Sequence, residues 1–304
     1  MVKNRSLIII GILCLLVLIA GAVIWPTPVT PQTLPQSVEI DLPMAEIAVT
    51  KDIPAPLTSA QHIFIMDRKS RMVLYQKNAE ETVFPASTTK MMTALVALDA
   101  FPDLSTKLTV DQNYPSPLAS KLFVAGQQLS AQELMYDMLI QSANDAAEVI
   151  AANYPGGRKA FIEAMNTKAT QIHLINTHFG NPTGIDGPGH HSTAADLVRL
   201  ADFALRNPEF EKIVGVENSV VSDKVIRNIN ELLGRVEGVK GVKTGYTEGA
   251  GQSLVTWVDR NGHEILMAVM GSADRFGDTQ KLIEWTYKNY SWQDVTADMH
   301  RPGL

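Results

Sequence analysis

Three short strings in this sequence combine hydroxyl, amine and amide groups at spacings that permit nucleophilic catalysis: Ser87-Thr88-Thr89-Lys90, Ser142-Ala143-Asn144 and Lys243-Thr244-Gly245. Singly, the first two patterns are weak, since each is expected about once by chance at average residue usage, and Lys-Thr-Gly in about one chain of this length in fifteen. Alone, Ser87 reads as a helix N-cap and Ser142 as a polar residue ending a helix. Their weight comes from occurring once each, in an order that lets them share one site.

A serine hydroxyl needs a base before it becomes a nucleophile. Ser87 follows Pro85 at the start of an apolar-periodic segment, a setting that suits the first turn of a helix. Lys90, three residues on, then shares its face. The positive end of the helix favours negative charge developing there. An ammonium becomes a base only when its pKa falls, through burial and a second cation nearby, and Lys243 is the expected second cation. Ser142 is placed to relay a proton to a leaving amine, and Asn144 to hold Lys90 and a substrate amide. Lys243 and Thr244 suit an anionic substrate end, and Gly245 lets a substrate backbone approach closely.

Residues 62–67 and 71–76 are apolar-rich runs around a charged turn and predict a β-hairpin. Apolar spacing then predicts helices over 87–101, 131–153, 158–173 and 193–207. Strands return at 253–258 and 264–270 around Asn261-Gly262, before a last helix near 280–290. The expected fold class is α/β of the α+β type, with N- and C-terminal strands joined in one antiparallel sheet and a large helical insertion packed on it. The spaced Met91, Met92, Met135 and Met138 read as core filler. His173, His178, His190 and His191 lack ligand spacing and read as structural, so no metal and no cofactor are expected.

With these strings and their flanks, the sequence resembles the low-molecular-mass penicillin-binding proteins of the D-alanyl-D-alanine carboxypeptidase family, which share the Ser-x-x-Lys, Ser-x-Asn and Lys-Thr-Gly set. Four segments carry the resemblance: the run from Phe84 through Ser87 to Lys90, Gln141 to Asp145, Asn181-Pro182-Thr183-Gly184 followed by His190 to Leu197, and Val242 to Tyr246 with Ala250-Gly251. It implies a β-lactamase/transpeptidase-like fold from about Ser59 to Tyr290. It also implies Ser87 as acyl-enzyme nucleophile, Lys90 as base, Ser142 and Asn144 in the proton relay, and Lys243 and Thr244 on the substrate carboxylate. The oxyanion hole would be the N–H groups of Ser87 and Tyr246. Arg275 stands where relatives often place a cation near that carboxylate, with a solvated surface arginine as the alternative. Tyr246 replaces the histidine of many relatives, which bears on substrate preference.

The implied activity is serine-type D-Ala-D-Ala carboxypeptidase on peptidoglycan stem peptides, with β-lactam antibiotics as covalent inhibitors. A D,D-endopeptidase cutting cross-links would use the same residues. A β-lactamase lacks support, because no Glu-x-x-Leu-Asn string follows Asn144. A non-catalytic wall-binding module is opposed by the completeness of the set.

The chain has 304 residues with 45% hydrophobic and 19% charged, a globular composition. A net charge of -6 without a basic run argues against nucleic acid as partner. One cysteine, Cys14, rules out an intrachain disulfide. Lys3 and Arg5 precede 19 uncharged, mostly apolar residues ending at Trp25, about enough to cross a bilayer. Residues 1–25 therefore read as a membrane anchor with a cytoplasmic N-terminus, or as a signal peptide cut near Ala20-Gly21-Ala22. Seven prolines between Pro26 and Pro56 make 26–58 an expected extended tether, leaving 59–304 as one catalytic domain on the extracytoplasmic side of a bacterial cell membrane, or released if the signal is cut. On this reading the N-terminal anchor does the work of the C-terminal domain and membrane helix that many relatives add.

Overall fold

A computed structural model describes residues 46–114 and 123–294. The N-terminal anchor or signal lies outside the described residues, as does most of the proline-rich segment. Among the described residues no helix is long and apolar enough to cross a membrane.

The chain opens with β1 (Glu46–Thr50), β2 (His62–Asp67) and β3 (Val73–Lys77), then a 3-10 turn over Ala86–Thr89 that runs straight into α1 (Lys90–Ala100). After the short pair β4 (Lys107–Thr109) and β5 (Gln128–Ser130) come α2 (Ala131–Ile140), α3 (Asn144–Ala152), α4 (Gly157–Gln171), α5 (Ala194–Ala204) and α6 (Pro208–Val214). A hairpin of β6 (Asn218–Val221) and β7 (Lys224–Arg227) precedes the long strands β8 (Val239–Thr247), β9 (Gly251–Arg260) and β10 (His263–Ser272). The described residues end with α7 (Arg275–Asn289) and β11 (Tyr290–Asp294).

The strand groups from the two ends of the sequence do join: the central sheet runs β3-β2-β10-β9-β8 and every pair in it is antiparallel. Strand side chains alternate between faces, and here both faces are covered. Phe64, Met66, Leu266 and Ala268 join a core with Met91, Met92, Met135 and Met138 on the helical side. Ile63, Ile65, Ile265 and Met267 join a second core with Leu282 and Ile283 of α7 on the other side. A sheet buried on both faces reads as a continuous apolar run such as HIFIMD, rather than as alternation. The β9–β10 turn is Asn261-Gly262 with both φ positive, at 57° and 81°, the left-handed pair that such two-residue hairpins require.

Three expectations need correction. The segment 46–50 is not tether: it is a strand, paired antiparallel with β11 from Glu46↔Asp294 to Thr50↔Tyr290, so the folded unit starts before Ser59. No proline falls within the run EIAVT, which is therefore free to donate along a ladder. The expected helix over 131–153 is two helices, broken at Gln141-Ser142-Ala143, where Ser142 takes a φ of 65°. The segment after Pro208 is a helix of its own, begun by Asn207, whose side chain accepts from the N–H groups of Glu209 and Phe210.

Candidate active site

Ser87 sits on the 3-10 turn rather than inside a helix. The turn is pinned by Pro85, whose carbonyl accepts from Thr88 N–H at 3.3 Å and Thr88 Oγ1 at 2.6 Å. Ala86 just before it has a φ of 50°, a left-handed conformation uncommon for residues with a Cβ. Lys90, the first residue of α1, projects back so that its Nζ lies 2.9 Å from Ser87 Oγ.

The Lys90 amine has two further partners, Asn144 Oδ1 at 2.6 Å and the Thr183 carbonyl at 2.5 Å. Both are acceptors only. Nζ donates to all three partners when protonated; a neutral amine keeps two N–H groups, enough for Asn144 and Thr183, and its lone pair is then free for Ser87. Lys90 is fully buried, and that burial lowers its pKa from 10.5 to about 7, against the opposing pull of Glu148 and Asp145. Of the two expected causes, burial is the one at work, and Lys243 is not among the groups that lower Lys90. Desolvation does the work on Lys90, whereas Lys243 is itself pushed well below 10.5 by burial and then by the charges of Lys90 and Arg275.

Asn144 opens α3, and Ser142 stands on the break just before it. Ser87, Ser142, Asn144, Thr244, Gly245, Tyr246 and Arg275 all line one groove of about 220 Å³. Lys243 does not line it. Its side chain is buried behind the wall on β8, with Nζ 3.1 Å from the Thr244 carbonyl and 3.5 Å from Thr244 Oγ1. Thr244 is thus the surface that a ligand would meet, with the Lys243 amine behind it.

Gly245 has a different neighbour from the one expected. A Cβ there would meet Ala86 Cβ at 3.0 Å and Ser87 N at 3.2 Å. The close approach it permits is that of the edge strand to the nucleophile turn, which brings Ser87 N–H beside β8. Arg275 lies at the start of α7, half-buried, with Nη1 donating to the Gly245 carbonyl at 3.0 Å and its guanidinium 4.7 Å from the centre of the Phe276 ring. It is a groove residue and not a solvated surface arginine. Tyr246 is half-exposed on the rim, so its side chain is available to a ligand rather than committed to packing.

Sequence reasoning assigned no role to the loop 181–186, which supplies the third wall. Asn181 Oδ1 accepts from Thr183 N (3.1 Å), Thr183 Oγ1 (2.9 Å) and Gly184 N (2.7 Å), while its amide donates to the Ile185 carbonyl at 2.8 Å. This is a side chain closing a local turn, and the turn aims the Thr183 carbonyl at Lys90. Asp186 ties the far end of the loop to the end of β8 through Thr247 Oγ1 (2.7 Å) and to Gly249 N (3.1 Å) beyond it. The motif Asn181-Pro182-Thr183-Gly184 was visible, but a main-chain carbonyl as partner leaves no mark in residue type. Gln141, Ile185 and Ile229 also line the groove without having been anticipated.

His190 is structural in a definable way. Its Nδ1 accepts from Gly180 N at 2.9 Å, which leaves Nε2–H to donate to Thr89 Oγ1 at 3.0 Å. Burial lowers its pKa to about 4 and keeps it neutral. Asn181→Ala removes the turn that presents the Thr183 carbonyl. Acylation of Ser87 is then expected to fall about 10- to 100-fold, measured as the second-order rate of labelling by a fluorescent penicillin.

Comparison with known proteins sets this geometry in context. A peptidase family described as D-alanyl-D-alanine carboxypeptidase matches residues 49–274. The chain is 30% identical over 244 residues to the D-alanyl-D-alanine carboxypeptidase DacF of Bacillus subtilis, covering 76% of this chain but only 63% of that protein's length. It is 32% identical over 240 residues to a D-alanyl-D-alanine endopeptidase of Pseudomonas aeruginosa, covering 73% of this chain and 75% of the relative. The crystal structure of a Streptomyces DD-transpeptidase superposes with a TM-score of 0.72 at 29% identity, over 78% of this chain and all of the other.

Proposed function

The chain belongs to the D-alanyl-D-alanine carboxypeptidase family of peptidases, and from that premise we propose that it is a serine-type D,D-carboxypeptidase of peptidoglycan stem peptides, acting through an acyl-enzyme on Ser87. The observation that carries the reading is the buried Lys90 amine, 2.9 Å from Ser87 Oγ and held in place by Asn144 Oδ1 and the Thr183 carbonyl.

The steps follow from the geometry. Neutral Lys90 takes the proton from Ser87 Oγ as the oxygen attacks the carbonyl carbon of the penultimate D-alanine. The resulting oxyanion is held by the N–H groups of Ser87 and Tyr246, an arrangement that typically lowers such barriers by about 3–4 kcal/mol. The proton on Lys90 passes through Ser142 to the leaving nitrogen, the C–N bond breaks, and D-alanine departs. Water then attacks the Ser87 ester by the reverse proton path and releases the shortened peptide. The terminal carboxylate sits against Thr244 and Arg275, with the Lys243 amine behind. Penicillin, whose strained amide is attacked in the same way, leaves an ester on Ser87.

Working through a neutral base fixes the pH dependence. Lys90 is protonated below about pH 7, so kcat/KM for acylation rises tenfold per pH unit below that value, as a stopped-flow pH series with a chromogenic β-lactam will show. An unchanged rate between pH 5.5 and 7 would contradict Lys90 as base.

The relative named an endopeptidase supports a second reading with the same groups: cleavage of a cross-link, in which the leaving amine belongs to a neighbouring stem peptide. The deciding experiment offers the purified protein free pentapeptide and cross-linked dimer side by side, with product masses read out. Release of D-alanine from pentapeptide supports the carboxypeptidase reading, dimer cleavage alone supports the endopeptidase, and neither product rejects both. The apolar segment ahead of Trp25 supports export, with the catalytic unit on the extracytoplasmic side of the membrane and the segment as its anchor or signal.

A further inference from the structure

α2 carries a carboxyl group that the mechanism above does not use. Asp137 is fully buried, on a helix whose neighbouring Leu134, Met138 and Leu139 are also buried. An apolar residue would pack there without the cost of desolvating an acid. Its Oδ1 accepts from Gln141 Nε2 at 3.2 Å, and its Oδ2 is buried with no hydrogen-bond partner.

What surrounds this acid is the turn that carries Ser142. The Asp137 main-chain carbonyl accepts from both Gln141 N, at 3.1 Å, and Ala143 N, at 3.3 Å. Between these two donors stands Ser142 with its φ of 65°, a conformation helix ends usually give to glycine. A non-glycine residue there costs of order 1–3 kcal/mol and persists only where its surroundings enforce it. Here the enforcing contacts converge on one residue: two main-chain bonds to Asp137 and the Gln141 side chain folded back onto its carboxyl.

We propose that Asp137 is a positioning residue for Ser142, fixing through Gln141 the strained turn that presents the serine to the groove. The inference rests on the reading of Ser142 as the proton relay. Burial pushes the Asp137 carboxyl up to about 7, with Asp145 of α3 adding to the rise and the Gln141 hydrogen bond and Lys224 of β7 opposing it. On ionisation the charge at Oδ2 has no donor to meet it, and the turn gives way to hydrate it. Turnover therefore rises as Lys90 loses its proton and falls again as Asp137 loses its own, giving a bell centred near neutrality.

The test compares pH profiles of D-alanine release by the full-length parent protein, Asp137→Asn and Asp137→Leu. Asp137→Asn keeps an acceptor for Gln141 and cannot ionise, so it holds parental kcat within about twofold at pH 6 and stays on its plateau to pH 9, where the parent has dropped at least about fivefold from its maximum. Asp137→Leu removes the acceptor and loses at least about tenfold in kcat at every pH with KM little changed. Gln141→Met cuts the same link from the other side and reproduces the Leu result if that variant fails to fold. A parental bell retained by Asp137→Asn, or equal activity in the Asn and Leu variants, overturns the proposal. Penicillin labelling of Ser87 in the parent is measured alongside: its absence would defeat the reading of the site itself, while its presence with unmoved profiles would defeat only the role of Asp137.

Discussion

Lys90→Met leaves a folded protein that releases D-alanine about 10³- to 10⁴-fold more slowly. The side chain is close to lysine in length and apolar, so it fills the same buried space while removing the amine that bonds Ser87 Oγ. Stability responds to two opposed effects. Asn144 Oδ1 and the Thr183 carbonyl each lose a donor, at about 1–3 kcal/mol apiece. Against this, holding an amine at a pKa of about 7 instead of 10.5 costs a few kcal/mol, at about 1.4 kcal/mol per pH unit, and methionine relieves that cost. The two nearly offset, so the melting temperature at pH 7 moves little and inactivity cannot be ascribed to unfolding. The pH dependence carries the sign. Between about 7 and 10.5 the folded parent binds fewer protons at Lys90 than the unfolded chain does, so its stability rises with pH across that window. The Met variant lacks that slope. Thermal melts at pH 7 and pH 9.5 for both proteins, with D-alanine release at pH 7.5, check the whole statement.

The second large effect is steric. Gly184 has a φ of +93°, and a Cβ there would stand 1.9 Å from the Ala86 carbonyl oxygen and 2.9 Å from Ser87 N. Both obstacles are main chain, so nothing swings aside. Gly184→Ala must displace either the loop 181–186 or the nucleophile turn, and a shift of about 1 Å at Ser87 costs about 100-fold in rate. We expect penicillin acylation to slow by at least about that factor and stability to fall by about 3–5 kcal/mol, in the range of severe backbone and packing defects. Gly126 supplies the control. Its φ is +88°, but a Cβ there meets nothing within 4 Å. Gly126→Ala therefore shows the cost of the left-handed conformation alone, about 1–2 kcal/mol, with labelling unchanged. If the two variants behaved alike, the contact between loop and nucleophile turn would have no functional weight.

How much of this could be read beforehand depends on which signal each element leaves. The hairpins were legible because short apolar runs bounded by Asn-Gly or charged turns allow few alternatives, and the strand His62–Asp67 falls where expected. The break at Ser142 was not. The segment from Ala131 to Asn153 has no glycine or proline to mark an end, and its periodicity runs through; what stops the helix is a set of contacts to Asp137 that exists only after folding. The helix Pro208–Val214 was lost for the opposite reason. Pro208 marks the end of the helix expected over 193–207, but Asn-Pro followed by two acids is also a start signal. In the site, residue types led to Ser87, Lys90, Ser142 and Asn144, whose functional groups meet across three separate elements. They could not lead to the Thr183 carbonyl, which any residue at that position would supply. Nor could they show that Lys243 lies behind the groove wall, since its depth is a matter of packing.

The account turns on Ser87 forming an ester while Lys90 accepts its proton. The most direct measurement is the intact mass of the protein after brief incubation with benzylpenicillin, followed by digestion to locate the adduct, in the parent and in Ser87→Ala. One added penicilloyl group is expected on the peptide containing Ser87, its formation rate rising with pH up to about 7, with no adduct in the variant. A parent that stays unmodified, or an adduct found on Ser142 instead of Ser87, would contradict it.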